Sequence, residues 1–315
     1  MKTMNRMKKW IAFLTFVMMI SMAAFTGAEE TGVPAEGAVM RFYDAATELL
    51  FETENVTLSG KAVFSLDGER FKSAEIRYLQ DDRNSLLQLD LLTPRRDGSG
   101  RPDRESGYTV IANGELVYVT EVINPGVYKT GTTFTQNTIL RKSVQMELMA
   151  NLMGMLAKEA ETLLGKDAVT ILPDETAGLE LRITLDRDVP EMVNTSANLF
   201  YQFIARRYFE TDYDTVSERY MGPMENYLTV TQGILECTKS LSVEKAEITM
   251  KLDDQGFLKQ VSGDASLMLV TGKDGIRRLD FVFSLDVSNR GSSHVDDFDP
   301  DAYGVVLADG YAFKN

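Results

Sequence analysis

Cysteine and histidine are almost absent from this chain. The 315 residues include one cysteine, Cys237, and one histidine, His294. A single cysteine excludes an intramolecular disulfide, and a single histidine excludes a catalytic histidine pair or a zinc site built on several histidines. Because Cys237 follows the apolar residues Ile234 and Leu235, we interpret it as a small buried hydrophobe rather than a nucleophile. Stability must therefore come from a packed core.

Basic residues are also few relative to acidic ones. The chain holds 33 Lys and Arg against 47 Asp and Glu, a net charge of −14 at pH 7. Nucleic-acid phosphates and anionic lipid surfaces are bound by clustered Lys and Arg. The acidic balance therefore predicts no nucleic-acid partner and no electrostatic docking on a membrane.

Only the N-terminus carries a long apolar run. Four basic residues within residues 2–9 precede the uncharged apolar residues 10–25, and the small residues 26–28 follow. This order is typical of a signal peptide cleaved after Ala28, which predicts a secreted or extracytoplasmic protein. The alternative is an uncleaved membrane anchor, since the run is only slightly shorter than the ~20 residues of a membrane span. Removing the four basic residues from the total of 33 leaves 29 against 47 acidic ones, a net charge of −18.

Motifs for catalysis or metal binding are missing. The sequence has no Gly-rich phosphate loop after a strand and no Gly-x-Ser-x-Gly turn. The acidic run 296–301 lacks EF-hand spacing, and acidic residues neutralise most of the arginines in segment 95–104, so both are interpreted as exposed loops. We therefore predict a protein that is not an enzyme and has no cofactor or metal. A hydrolase using a carboxylate pair stays as an alternative.

Alternation of apolar and polar residues dominates residues 242–287. The apolar residues of one strand are Ala246, Ile248, Met250 and Leu252, and two more alternating runs follow after short Asp/Gly turns. Period-two runs joined by such turns predict an antiparallel meander with one apolar and one polar face.

The remaining elements are predicted from the same periodicities. Helical spacing predicts helices over 39–50, over 138–164 and from Pro190 onward, and alternation predicts strands at 57–66, 74–78, 85–92, 108–112, 115–121, 168–172 and 179–186. Residues 94–107 are predicted to form an exposed loop. The fold class is therefore α+β, a large antiparallel sheet with helices on one face.

Domain organisation follows from the lack of a flexible linker inside the chain. We expect a signal peptide at 1–28, a short linker at 29–37 and a single domain at 38–315, acting as a monomer. The phrase Val-Phe-Ser-Leu-Asp occurs at 63–67 and again at 282–286. This repeat leaves open the alternative that the domain consists of two similar halves, about 38–135 and 165–315, joined by the helix 138–164.

The predicted helix over 138–164 is rich in methionine, and it suggests where a ligand would lie. Methionine adapts to variable apolar surfaces, although such a stripe is also typical of plain core. The candidate ligand cavity lies between this helix and the sheet, and its residues are Met146, Met149, Leu152, Met153, Phe281 and Phe283.

The order of these elements resembles the lipoprotein-carrier superfamily, which includes the LolA and LolB carriers and the LppX-like lipid binders. The resemblance covers the first amphipathic helix, the strand entry Asn-Val-Thr-Leu-Ser-Gly at 55–60, and the segment Phe-Asp-Pro-Asp-Ala-Tyr-Gly-Val at 298–305. It implies a curved, incomplete antiparallel barrel whose helices pack on the concave face and whose interior holds acyl chains. The chain departs from these carriers in its length, its acidity and its extra central helices, and its lack of a lipobox cysteine sets it apart from LolB and from lipid-anchored relatives.

Two functions remain open at this point. One is an exported binding protein that holds a lipid or another apolar molecule. The other is a cell-envelope interaction or sensor domain with a filled core, whose partner is an envelope protein.

The signal-peptide interpretation predicts the N-terminus of the mature protein. When the full chain is expressed in an exporting bacterial host, we expect intact-mass and N-terminal analysis to give Glu29 as the first residue. An Ala28→Tyr change places a bulky ring where the peptidase requires a small side chain, so it should block that cleavage. Membrane-bound protein that retains residues 1–28 in the unmodified chain would support the anchor instead.

Overall fold

The computed structural model describes residues 38–81, 85–96, 102–113, 116–121, 127–131, 150–151, 154, 169–173, 178–186, 189–191, 193–195, 197–198, 201, 238–272 and 275–295. The helix α1 spans Ala38–Phe51. The strands are β1 Val56–Leu66, β2 Glu69–Gln80, β3 Ser85–Arg96, β4 Pro102–Asn113, β5 Leu116–Glu121, β6 Val127–Gly131, β7 Val169–Pro173, β8 Leu179–Asp186, β9 Thr238–Leu252, β10 Leu258–Thr271 and β11 Ile276–Ser288.

The helix α1 forms because its apolar residues recur every three or four positions. Phe42, Ala46 and Leu49 lie on one stripe and are fully buried. The helix ends where the Glu48 carbonyl accepts hydrogen bonds from both the backbone N–H and the hydroxyl of Thr53. The predicted first helix is therefore confirmed.

All eleven strands belong to one antiparallel sheet. Its order is β6-β5-β4-β3-β2-β1-β11-β10-β9-β8-β7. The chain thus runs outward from β1 to one edge, resumes at the other edge and returns to the centre, where β11 pairs with β1. The antiparallel sheet of the predicted fold class is confirmed, and in the described part of the chain it is open between β6 and β7. Placement of the helices on a concave face stays a prediction.

A tight turn joins β1 to β2 as the sequence indicates. Asp67 and Gly68 have φ angles of +51° and +84°, the pattern of the two-residue turns that match strand twist. The Asp67 carboxylate accepts a hydrogen bond from the Arg278 backbone N–H at 2.8 Å, which lowers the pKa of that carboxyl. The turn is thereby fixed to the start of β11.

The predicted loop at 94–107 is wrong at 94–96 and 102–107, and residues 97–101 lie outside the described residues. Strand β3 continues to Arg96, β4 begins at Pro102, and Arg95 pairs with Arg104. Backbone hydrogen bonds extend this hairpin beyond its apolar part, because a strand pair does not require apolar side chains. Pairing of β3 with β2 ends at Leu92, so Pro94 lies where β3 has a free edge, a position that tolerates proline. Strand β6 is a further element that the sequence did not predict.

Two of the predicted helices fall mainly outside the described residues. In the first, Ala150, Asn151 and Gly154 are helical, and the rest of 138–164 is not described. In the second, the described residues between Glu191 and Tyr201 are helical, as predicted from Pro190.

The helix after Pro190 lies beside the first part of β9, where β8 no longer pairs with that strand. Pairing of β8 with β9 ends at Asp186 and Lys245, whereas β9 extends back to Thr238. The side-chain oxygens of Asn194 and Asn198 accept hydrogen bonds from the backbone N–H groups of Val243, at 2.7 Å, and Leu241, at 3.2 Å. Residues four apart on a helix rise by about 6 Å, close to the spacing of alternate N–H groups along a strand. The helix thus provides acceptors for backbone N–H groups on the edge of β9 that β8 does not pair.

One face of the sheet carries the core. The buried apolar side chains of β1, β2, β3 and β8–β11 alternate with polar ones, and the cross-strand register places them all on the same side. We call this side the core face. The helix α1 packs on it against β9 and β10.

No helix in the described ranges is both long and apolar enough to cross a membrane.

The hydrogen bonds to β9 predict a stability cost for losing one acceptor. Asn194→Ala leaves the partly buried Val243 N–H without its partner, which should lower the free energy of unfolding by about 1–3 kcal/mol. Thr195→Ala, at the next and exposed helix position, should change it by less than about 0.5 kcal/mol. Urea denaturation measures both, and equal midpoints for the two variants would contradict this role.

Candidate functional site

Four phenylalanine rings form a continuous patch on the core face, which we call the aromatic wall: Phe64, Phe71, Phe281 and Phe283. Phe64 lies opposite Phe281 across the β1–β11 pair, with ring centroids 6.4 Å apart, and Phe281 lies 5.9 Å from Phe283. Interplanar angles of 25° and 22° show near-parallel rings. Phe281 and Phe283 are only 3% and 6% exposed, so the wall lies inside the fold.

Small residues on neighbouring strands let the wall lie close to the sheet. Phe283 lies opposite Gly263 of β10, and a Cβ atom added at that glycine would be 2.7 Å from the Phe283 Cε1. Phe281 lies opposite Ala265, and Phe283 lies opposite Ala62 on its other side. The Phe283 ring therefore extends over the β10 backbone, and only glycine at position 263 leaves room for it.

A buried lysine lies at one end of this wall. Lys72 of β2 is opposite Phe64, which places its side chain on the core face, and it is only 3% exposed. Burial disfavours the charged ammonium and lowers the pKa of Lys72 to about 7. Buried lysines are rare, so this position is the strongest sign of a specific role on the core face.

The opposite end of β2 carries a buried neutral hydrogen-bond network. The Tyr78 hydroxyl donates to the Gln80 Oε1 atom, and the Gln80 amide donates to the Glu54 carbonyl at 2.9 Å. Burial raises the pKa of Tyr78, so its hydroxyl stays protonated. Tyr78 lies six positions after Lys72, which is about 20 Å along the strand. Between them the core face of β2 presents only Ala74 and Ile76.

Under α1 the core face is closely packed. Phe42 and Leu49 of the helix and Ile248 and Ala265 of the sheet are almost completely buried. The Tyr43 hydroxyl donates to the Ala150 carbonyl, which connects α1 to the described part of the methionine-rich segment. This region has the character of an ordinary core.

A groove of about 820 Å³ lies between α1 and the β9–β10 turn. It is lined by one arginine, Arg41, and five acidic residues: Asp44, Glu48, Glu52, Asp253 and Asp254. Beside it, Arg290 donates to Glu48 and its guanidinium lies 3.7 Å from the centre of the Phe257 ring. This contact fixes the turn after β11 against the helix, so we interpret the groove as a solvated surface stabilised by that pair.

The candidate cavity residues named from the sequence are described only in part. Phe281 and Phe283 lie together on the core face, and their role as cavity residues stays a prediction. The other four lie outside the described residues: Met146, Met149, Leu152 and Met153. Cys237 and the acidic run 296–301 also lie outside them. Within the described ranges, no cluster of three or more His, Cys, Asp or Glu side chains is placed to hold a metal ion.

Sequence reasoning missed Lys72 and its aromatic neighbours Phe64 and Phe71 as parts of one site. The signal for Lys72 was present, because alternation through Tyr78, Ile76 and Ala74 continues to position 72. The bulge opposite Phe64 and Ser65 then inserts Phe71 as an extra residue, which adds its ring to the wall. Neither the bulge nor the pairing of β1 with β11 can be read from local spacing.

Burial of Lys72 predicts how stability depends on pH. Below pH 7 the ammonium is charged in both the folded and the unfolded state. The full cost of burying this charge then lowers the free energy of unfolding. Between pH 7 and about 10.4 the folded protein has lost this proton while the unfolded chain retains it, so this contribution to stability rises with pH. Lys72→Met should therefore raise the free energy of unfolding by on the order of 2–4 kcal/mol at pH 6 and by little at pH 10.

Urea unfolding at the two pH values measures this difference. The control is Lys61→Met on the opposite face, where the lysine side chain is 69% exposed and pairs with Glu75. It should change stability by less than about 1 kcal/mol at either pH. A Lys72→Met effect of the same size at pH 6 and pH 10 would show that the charge of Lys72 carries no burial cost.

Comparisons with known proteins give distant likenesses only. Neither a protein-family model nor a curated protein matches this sequence. Among solved structures, the chain is similar to a LolA superfamily protein from Nitrosomonas europaea, with 12% identity, 84% of this chain and 96% of that chain covered, and a TM-score of 0.20. It is also similar to the PpsC dehydratase domain from Mycobacterium tuberculosis, with 10% identity, 81% and 84% coverage, and a TM-score of 0.13. At these TM-scores the likenesses assign neither a fold nor an activity.

Proposed function

We propose that this protein is an exported, monomeric, non-enzymatic binding protein that holds a lipid or another apolar molecule against the core face of its sheet. The observation that carries the proposal is the extent of that face relative to the helix that packs on it. The seven adjacent strands that carry the core face, β1–β3 and β8–β11, give it a width of about 29 Å at about 4.8 Å spacing. The helix α1 is about 10 Å in diameter and packs chiefly against β9 and β10.

An apolar face of that width requires apolar surface against it along its length. Leaving it in water would cost roughly 25 cal/mol for each Å² of apolar area. At the centre of the sheet the face is an aromatic wall with alanine and glycine beside it. Rings and small residues offer a smooth surface on which a flexible apolar chain makes many contacts without requiring one fixed shape.

The charges of the described strands support a protein that is soluble while it carries such a molecule. The face opposite the core is polar, with pairs such as Lys61 with Glu75 and Lys251 with Glu180. The mature chain expected from the sequence is strongly acidic, which disfavours binding to anionic membrane surfaces. A carrier would need both properties: an apolar interior and an exterior that stays in water.

The close packing under α1 favours a second candidate. A domain filled in this way throughout would act through its outer surface, as a cell-envelope interaction or sensor domain with a protein partner. Such a domain would bind no apolar molecule at the aromatic wall, so a test directed at the wall separates the two functions.

Photo-crosslinking with a long-chain fatty acid that carries a diazirine on its chain tests the proposal. We expect labelled peptides from β1 and β11 to carry the label on Phe64, Phe281 or Phe283. Val282 is the internal control, because it lies between two wall residues on the opposite face and is 52% exposed. Label on Val282 with none on the wall, or no saturable label at all, would contradict the proposed function.

A further inference from the structure

We draw no further inference here: the strongest candidate, the groove between α1 and the β9–β10 turn, is marked only by its acidic side chains, and no second feature of the described residues points to a ligand there.

Discussion

The one-sided distribution of apolar residues on a single long sheet is the constraint on which the rest of this structure depends. Side chains alternate along each strand, and cross-strand register places every apolar set on the same side. Pairing of β1 with β11 joins the two strand groups, so their apolar faces become one core face. The helix α1, the Asn194 and Asn198 contacts to β9, and the aromatic wall all follow from the need to bury this face and to satisfy its edges.

Much of the fold could be predicted because period-two alternation and turn residues act locally. The meander β9–β11, the Asp67-Gly68 turn and the helix at 38–51 all agree with the sequence patterns. The loop predicted at 94–107 failed because strands extend by backbone pairing, which polar side chains do not prevent. The order of the sheet could not be predicted at all, since the β1–β11 pairing joins residues more than 200 positions apart.

The candidate site was less predictable than the fold for the same reason. Phe281 and Phe283 were recognisable as apolar residues of one strand, but their neighbours Phe64 and Lys72 come from β1 and β2. A lysine within an alternating strand is usually solvated, so its charge alone predicts a position on the exposed face of the sheet. Only the register, which pairs Lys72 with Phe64, places it on the core face. Predicting a site made by cross-strand neighbours requires knowledge of the strand register, whereas predicting a motif within one segment does not.

The proposed function places an apolar molecule against the aromatic wall, in a fold whose opposite sheet face is polar. The lipid content of the purified protein tests this proposal most directly. Organic extraction and mass spectrometry of the protein, purified without detergent from an exporting host, should release close to one long-chain lipid per chain. Repeatedly empty extracts from folded protein would contradict the account and favour a filled core.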